Sequence, residues 1–363
     1  MDKTCKYLIN NISVMLSLLC VGGVWGCGGV SAQNDASHAR YISNSQYKSF
    51  SSIARSPLMR LSKKNAWKKA VPEAVQISIP SSVDGKMQPA MFYNSGSDHK
   101  KPLLVALHSW SSDYRKQFSI PFGIWCVEND WVLIHPNFRG AFTNSEATAS
   151  ELAVQDILDA LEYAKGNASV DESRIYVTGF SGGGMMTLIM AGRYPELWTA
   201  AAAWVPVYDL SQWFETTRRS RHGYARHIEN SCGGAPLPGT DAFEECGRRS
   251  VSNYLANARG KEIKIFIATG VKDVFVPPGH SLQAFNDLAE NEDRFTDQEI
   301  SYINKNRALP SSLKGIYSDS LFSDAGFPLL LERQSSNVVF KMYDGNHDII
   351  YNAGLSWLSQ QHK

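Results

Sequence analysis

The run Ile175-Tyr176-Val177-Thr178-Gly179-Phe180-Ser181-Gly182-Gly183-Gly184-Met185 decides the reading of the fold. Ile175 to Val177 has the apolar, β-branched and aromatic composition of a buried strand. Four glycines then surround one serine, and from Met185 to Ala191 the apolar spacing becomes helical. A strand that gives way to a helix within so few residues needs backbone conformations and close approaches that glycine takes most readily. The serine hydroxyl is left at the helix N-terminus, where free N–H groups and the helix dipole favour a developing negative charge. Ser181 is therefore the candidate nucleophile, and the N–H of Gly182 the first candidate oxyanion donor.

Around this turn the chain alternates strand and helix. Apolar runs at Val75 to Ile79, Met87 to Tyr93, Leu103 to Leu107, Trp131 to Ile134, Ile175 to Val177, Ala200 to Val207, Ile263 to Ala268 and Val338 to Met342 read as strands. Helical periods at Leu152 to Ala164, Met185 to Ala191 and Leu282 to Leu288 lie between several of them. The later strands are continuously apolar, which predicts a mostly parallel, doubly wound α/β sheet covered on both faces, with the site at the strand C-termini. The stretch 208–260, after the sixth strand, has no core strand and collects Arg, Trp, Gly and Pro. It reads as a cap-like insertion over the strand ends.

A serine needs a base, and the base needs a carboxylate to orient it. Asp273 ends the run Ile265 to Asp273, and His347 lies in Tyr343-Asp344-Gly345-Asn346-His347-Asp348 after the last strand. Each follows a strand, so Ser181, Asp273 and His347 can converge at one edge of the sheet. Asp209 is the fallback acid, with Asp344 and Asp348 behind it. The second oxyanion donor would come from the loop after Leu107-His108-Ser109, at the N–H of Trp110. No Cys/His spacing suggests zinc, and neither a metal nor a cofactor is expected.

From about Pro102 to His347 the chain resembles a prolyl-oligopeptidase-like α/β-hydrolase, of the group that also contains many carbohydrate esterases. The residues that carry the resemblance are His108-Ser109-Trp110, Asn137-Phe138-Arg139-Gly140, Asp171 to Arg174, Gly179 to Gly184, Gly270 to Pro277 and Gly345 to Asp348. The order Ser181, Asp273, His347 is the order of that fold. There are two departures. His108-Ser109 stands where members usually have His-Gly, and the residues before Pro72 cannot supply the propeller of the dipeptidyl and prolyl peptidases. The resemblance implies a serine hydrolase and favours an esterase over a peptidase.

The 363 residues carry 36 Lys and Arg against 35 Asp and Glu, a net charge of +1, with 43% hydrophobic residues. That profile belongs to a globular protein and gives no global electrostatic reason to bind nucleic acid. Lys3 and Lys6, the apolar stretch from Ile12 to Trp25, and Gly26 to Ala32 have the order of an export signal over 1–32. Cleavage after Val30-Ser31-Ala32 competes with a lipoprotein-type cleavage before Cys27, and a lipid on Cys27 would be the one link to a membrane. The segment 33–70, rich in Ser, Asn, Lys and Arg, reads as a linker with one short helix around Trp67, and 71–363 as the catalytic domain. In an oxidising compartment Cys232 and Cys246 could close a loop, and Cys126 reads as a buried thiol.

The insertion carries Arg218, Arg219, Arg221 and Arg226, with Arg248 and Arg249 further on, and Trp204, Trp213 and Phe214 beside them. Guanidinium forks hold carboxylates bidentately and aromatic rings stack on sugars. A solvated face paired with Glu215, Glu229, Glu244 and Glu245 is the other reading. The resulting expectation is an exported serine esterase on an acidic plant polysaccharide, a pectin or rhamnogalacturonan, with methyl esters ahead of acetyl esters. Arg218, Arg219, Arg221 and Trp213 would be the substrate contacts. The rival readings are a peptidase on the same residues and a non-catalytic glycan-binding protein.

Overall fold

The computed structural model describes residues 39–219 and 222–363. The expected export signal, including Cys27, lies outside the described residues, as does Arg221. Nine strands form one sheet: β1 (Val75–Pro80), β2 (Met87–Tyr93), β3 (Lys101–Leu107), β4 (Val132–Pro136), β5 (Val170–Phe180), β6 (Ala200–Trp204), β7 (Lys264–Gly270), β8 (Leu329–Ser335) and β9 (Val338–Tyr343). Their order is β1-β2-β4-β3-β5-β6-β7-β9-β8. The six strands from β4 to β9 in that order are parallel, while β1, β2 and β8 run antiparallel to their neighbours. Every residue of β3, β4 and β6 is buried, as continuously apolar strands require when both faces are covered.

The helices cover both faces: α1 (Phe50–Ala54), α2 (Lys63–Ala70), α3 (Ile120–Glu128), α4 (Glu151–Asn167), α5 (Gly182–Arg193), α6 (Leu210–Thr217), α7 (Tyr224–Cys232), α8 (Asp241–Arg248), α9 (Gly279–Leu288), α10 (Asp297–Asn306), α11 (Ser320–Asp324) and α12 (Tyr351–Ser359). Two cores result. Ile157, Met186, Val177, Ile265 and Phe285 belong to one, and Trp67, Trp125, Leu104, Phe266 and Leu355 to the other. Among the described residues no helix is long and apolar enough to cross a membrane.

Two readings of the sequence need correction. The segment 33–70 is no linker where it is described: besides the expected helix around Trp67, which is α2, α1 forms there, and Ile42, Ile53, Leu58, Ala66 and Trp67 are buried in the second core. Its helices are started by serines, with Ser49 accepting from the Ser52 N–H at 3.1 Å and Ser62 from the Asn65 N–H at 3.3 Å. The sequence reading also lacks β8. Its burial is irregular and Glu332 to Gln334 break the apolar run, as suits an edge strand.

Between β6 and β7 lie α6, α7 and α8. A disulfide joins Cys232 at the end of α7 to Cys246 in α8, across 14 positions, and Cys126 is a buried free thiol. Closing a loop of that length stabilises by about 3 kcal/mol on the chain-entropy model.

Buried histidines contribute to the behaviour in acid. Burial pushes His135 down to about 3 and His280 to about 4, from an ordinary 6.5. His280 also accepts the Tyr208 N–H at 3.1 Å through its Nδ1. Both stay neutral in the fold and protonate on unfolding, so their stabilisation is present above about pH 6.5 and is lost as the pH falls toward 4 and 3. The melting temperature should fall from pH 7 to pH 4, and less steeply in His280→Gln; equal slopes in the two proteins would refute the role given to His280.

Candidate active site

Ser181 sits between β5 and α5 with φ 60° and ψ −117°, a backbone conformation that non-glycine residues rarely adopt. The neighbouring glycines are dictated by contact. A Cβ on Gly183 would lie 2.3 Å from the Leu107 carbonyl oxygen, and one on Gly179 would lie 2.4 Å from the carbonyl group of Gly183. The turn is thus wedged against the end of β3 and holds the strained serine in place. The Ser181 N–H donates to the Trp204 carbonyl at 2.8 Å, tying the turn to β6 as well.

Asp273 follows β7 and is fully buried. Its Oδ1 accepts the N–H groups of Phe275 at 2.8 Å and Val276 at 3.0 Å, and its Oδ2 lies 2.6 Å from Nδ1 of His347. The two backbone donors fix the carboxylate, and the carboxylate fixes the imidazole. The ring of His347 rests between Phe180 and Phe275, with centroids 4.8 and 5.5 Å away. Ser181 and His347 line one cavity of about 260 Å³.

The three fallback acids are engaged elsewhere. Asp209 caps α6 through the Gln212 N–H, Asp344 pairs with Lys272, and Asp348 accepts the Ser51 N–H at 3.2 and 3.3 Å. Burial raises the pKa of Asp348, although it neighbours His347 in the chain.

The proposed oxyanion donors are adjacent. A Cβ on Gly182 would lie 2.7 Å from the Trp110 nitrogen, so the loop after β3 packs directly on the first turn of α5. Among the described residues no hydrogen bond uses the N–H of Gly182 or Trp110. The loop is braced from below. His108 stacks on Phe138 at 4.0 Å, its Nε2 lies 2.7 Å from the Asn137 carbonyl, and burial keeps its pKa low. Arg139, in the same segment, is held by Asp156 through Nε at 2.7 Å and by Asp84 through Nη1 at 2.8 Å. From above, the Trp110 indole donates to Nδ1 of His227 at 3.3 Å, a bond that requires that nitrogen unprotonated. Burial, aided by the charge of Arg226, lowers the pKa of His227 and favours its neutral form.

Six aromatic residues, Phe50, Trp110, Phe118, Phe180, Tyr224 and Phe275, line the cavity together with Ser109, Ser111, Ser112 and Lys116. Sequence reading missed most of them, and Lys116 with them. Phe50 comes from α1, in the supposed linker, and packs on Phe118 at 4.0 Å and Phe180 at 5.0 Å. No catalytic chemistry marks such residues in a sequence; the resemblance to a hydrolase elbow is the one signal, and it says nothing about the walls.

The expected substrate contacts fall differently. Arg218 is paired with Glu215 at 2.7 Å, Arg219 is exposed, and neither lines the cavity. Arg249 is bound to Glu245 and to the carbonyls of Ser145, Ala147 and Thr148, a structural role. Trp213 is buried: its indole donates to the Phe275 carbonyl at 2.8 Å and its ring packs on Trp110 at 4.7 Å. It supports the wall instead of offering a face to sugar. Tyr224, at the start of α7, is the contribution of the insertion to the cavity.

Comparison with known proteins agrees with the topology. Residues 125–302 match the model of the prolyl oligopeptidase family, a span that includes Ser181 and Asp273 and stops before His347. The chain has the α/β-hydrolase fold of that family. It is 26% identical over 136 residues to poly(3-hydroxyalkanoate) depolymerase C of Paucimonas lemoignei, covering 35% of this chain and 33% of that one. To acylamino-acid-releasing enzyme 1 of Oryza sativa subsp. japonica it is 29% identical over 148 residues, 37% of this chain and 18% of the relative. To feruloyl esterase B of Thermothelomyces thermophilus it is 32% identical over 117 residues, 30% of this chain and 40% of the relative. The match therefore spans two fifths or less of each relative's length.

Proposed function

We propose that this serine hydrolase is an esterase that removes acyl groups from an esterified polysaccharide through an acyl-enzyme. The observation that carries the reading is Ser181, held in a strained turn, sharing a cavity with a histidine fixed by a buried carboxylate. Ser181 Oγ attacks the ester carbonyl and His347 takes its proton. The tetrahedral oxyanion is met by the N–H groups of Gly182 and Trp110. Collapse expels the alcohol, which His347 protonates. Water, deprotonated by the same imidazole, then attacks the acyl-enzyme, and the acid leaves as the Ser181 hydroxyl is restored. Asp273 holds the imidazole throughout.

The aromatic walls favour an acyl group with an apolar or flat body over the methoxy group of a methyl ester. Arg218 and Arg219 do not line the cavity and Arg221 lies outside the described residues, so acyl esters come ahead of methyl esters. Similarity to a feruloyl esterase and a polyester depolymerase supports an ester bond. The disulfide fits an exported protein, since such bonds persist outside reducing compartments.

Release of ferulate or acetate from acylated polysaccharide, measured beside methanol from methyl-esterified pectin, tests the reading. Acid release well above methanol release is expected; methanol alone would reverse the order of esters. The similarity to an acylamino-acid-releasing enzyme favours a peptidase as second reading. Faster cleavage of N-acetyl-aminoacyl anilides than of any ester would establish it.

A further inference from the structure

A second concavity, larger than the catalytic cavity at about 680 Å³, opens beside the loops that carry Asp273 and His347. Lys272 lies in its wall next to Asp273 in the chain, and Asp344 in its wall three positions before His347. The two concavities are thus built on the same two loops, after β7 and β9. The groove holds three cations, Lys272, Arg307 and Lys314, against one carboxylate, that of Asp344, which Lys272 already pairs with. Arg307 and Lys314 have no ion-pair partner among the described residues.

Arg307 ends α10 with φ 53°, a left-handed conformation that turns the chain into the groove wall. Its Nη1 is closed off from solvent and finds no acceptor in the fold. Nη1 itself is sealed from any ligand, so Arg307 meets a carboxylate in the groove through the charge of its guanidinium. Burial lowers the pKa of Arg307 while the charge of Asp273 opposes the shift, which places Arg307 within electrostatic reach of the candidate catalytic acid. Apolar surface lies beside the charge. Tyr302 is 43% exposed and Ile316 is fully exposed, with Tyr317 near them. Rings beside cations suit a ligand that has both flat C–H faces and carboxylates.

We propose that this groove binds the uronate backbone of an acidic polysaccharide, with Arg307 and Lys314 on its carboxylates and Tyr302 and Tyr317 against its rings. The inference rests on the esterase reading for its polymeric substrate, since it takes the groove to hold the backbone of a chain whose ester is cut at Ser181. Charge recognition then belongs to this groove, away from Arg218 and Arg219.

The test is calorimetric binding of unesterified oligogalacturonate to the whole chain carrying Ser181→Ala, with cello-oligosaccharide of equal length as the neutral comparison. Oligogalacturonate should bind and the neutral chain should bind at least tenfold more weakly. The affinity should drop as salt is raised from low to physiological strength and beyond. Arg307→Gln with Lys314→Gln should weaken it tenfold or more, with the melting temperature reporting that the variant folds. Equal binding of the neutral chain, no binding of either, or salt-insensitive binding would each overturn the proposal, as would an unchanged affinity in the folded double variant. The ligand has no ester and the protein no nucleophile, so failure of the esterase reading leaves this measurement intact: binding without any hydrolysis by the native chain would sink only the esterase.

Discussion

Ser181→Ala should lower kcat on any ester the protein hydrolyses by about 10⁴-fold or more. It should also abolish labelling by a fluorophosphonate probe. The expectation follows from the division of labour in the site. Asp273 and its two backbone donors fix the imidazole of His347 but make no bond to substrate, so without the hydroxyl the base has nothing to activate but water. What remains is binding and the oxyanion donors, which by themselves give a small residual rate. KM should change little, because the hydroxyl contributes to the transition state far more than to substrate binding. The fold should survive, since the turn is set by Gly179, Gly182 and Gly183 against their neighbours and not by the serine side chain. Alanine at φ 60° is as strained as serine, so no large gain in stability is expected. Labelling of the wild type with loss in the variant would exclude the non-catalytic glycan-binding alternative. Near-wild-type turnover in a folded Ser181→Ala protein would refute the mechanism.

The elbow was legible because its chemistry is also its sterics. A turn in which Cβ atoms would meet Leu107, Gly183 and Trp110 within 2.3 to 2.7 Å leaves glycine as the residue that fits, and four glycines around a serine are visible in any sequence. Asp273 and His347 were legible because each follows a buried strand, and parallel strands bring their C-terminal loops to one edge. The walls were not. Phe50 sits in a five-residue helix between a 3-10 turn and another 3-10 segment, so Ile42, Ile53 and Leu58 recur with no single period that a helix or strand template would detect. The polar residues between them suggested a linker, whereas several are caps and zipper residues: Ser49 caps α1, and the Ser51 N–H binds Asp348. The basic groups misled for a related reason. Arg218 and Arg249 are close in sequence to acids that neutralise them, while Lys272 joins Arg307 and Lys314, on the connection after α10, only in the folded chain.

The same segment carries the other large expected effect. A protein that begins after Leu61 should lose most of its stability and all of its esterase activity. The removed residues bury Ile42, Ile53 and Leu58, at about 1.5–3 kcal/mol each, a sum comparable to the whole stability of many domains. They are also zippered to the loop of the histidine: Phe50 N–H donates to the Ile349 carbonyl at 3.3 Å, Tyr351 N–H to Lys48 at 3.2 Å, and Ser49 bridges Ile350. Since unfolding alone would silence the enzyme, Phe50→Ala separates the two roles. Phe50 is half-buried at the margin of the second core, and its ring packs on Phe118 and Phe180 in the cavity wall. The variant should keep a melting temperature within a few degrees of wild type. Its kcat/KM should fall about two- to tenfold on esters of bulky aromatic acids, from the loss of a packing partner worth roughly 0.5–1.5 kcal/mol, and much less on acetyl esters. An equal loss on both acyl groups would mean that Phe50 positions His347 through the zipper instead of lining the acyl site. No loss on either would remove the segment from the site altogether, leaving it a purely structural brace.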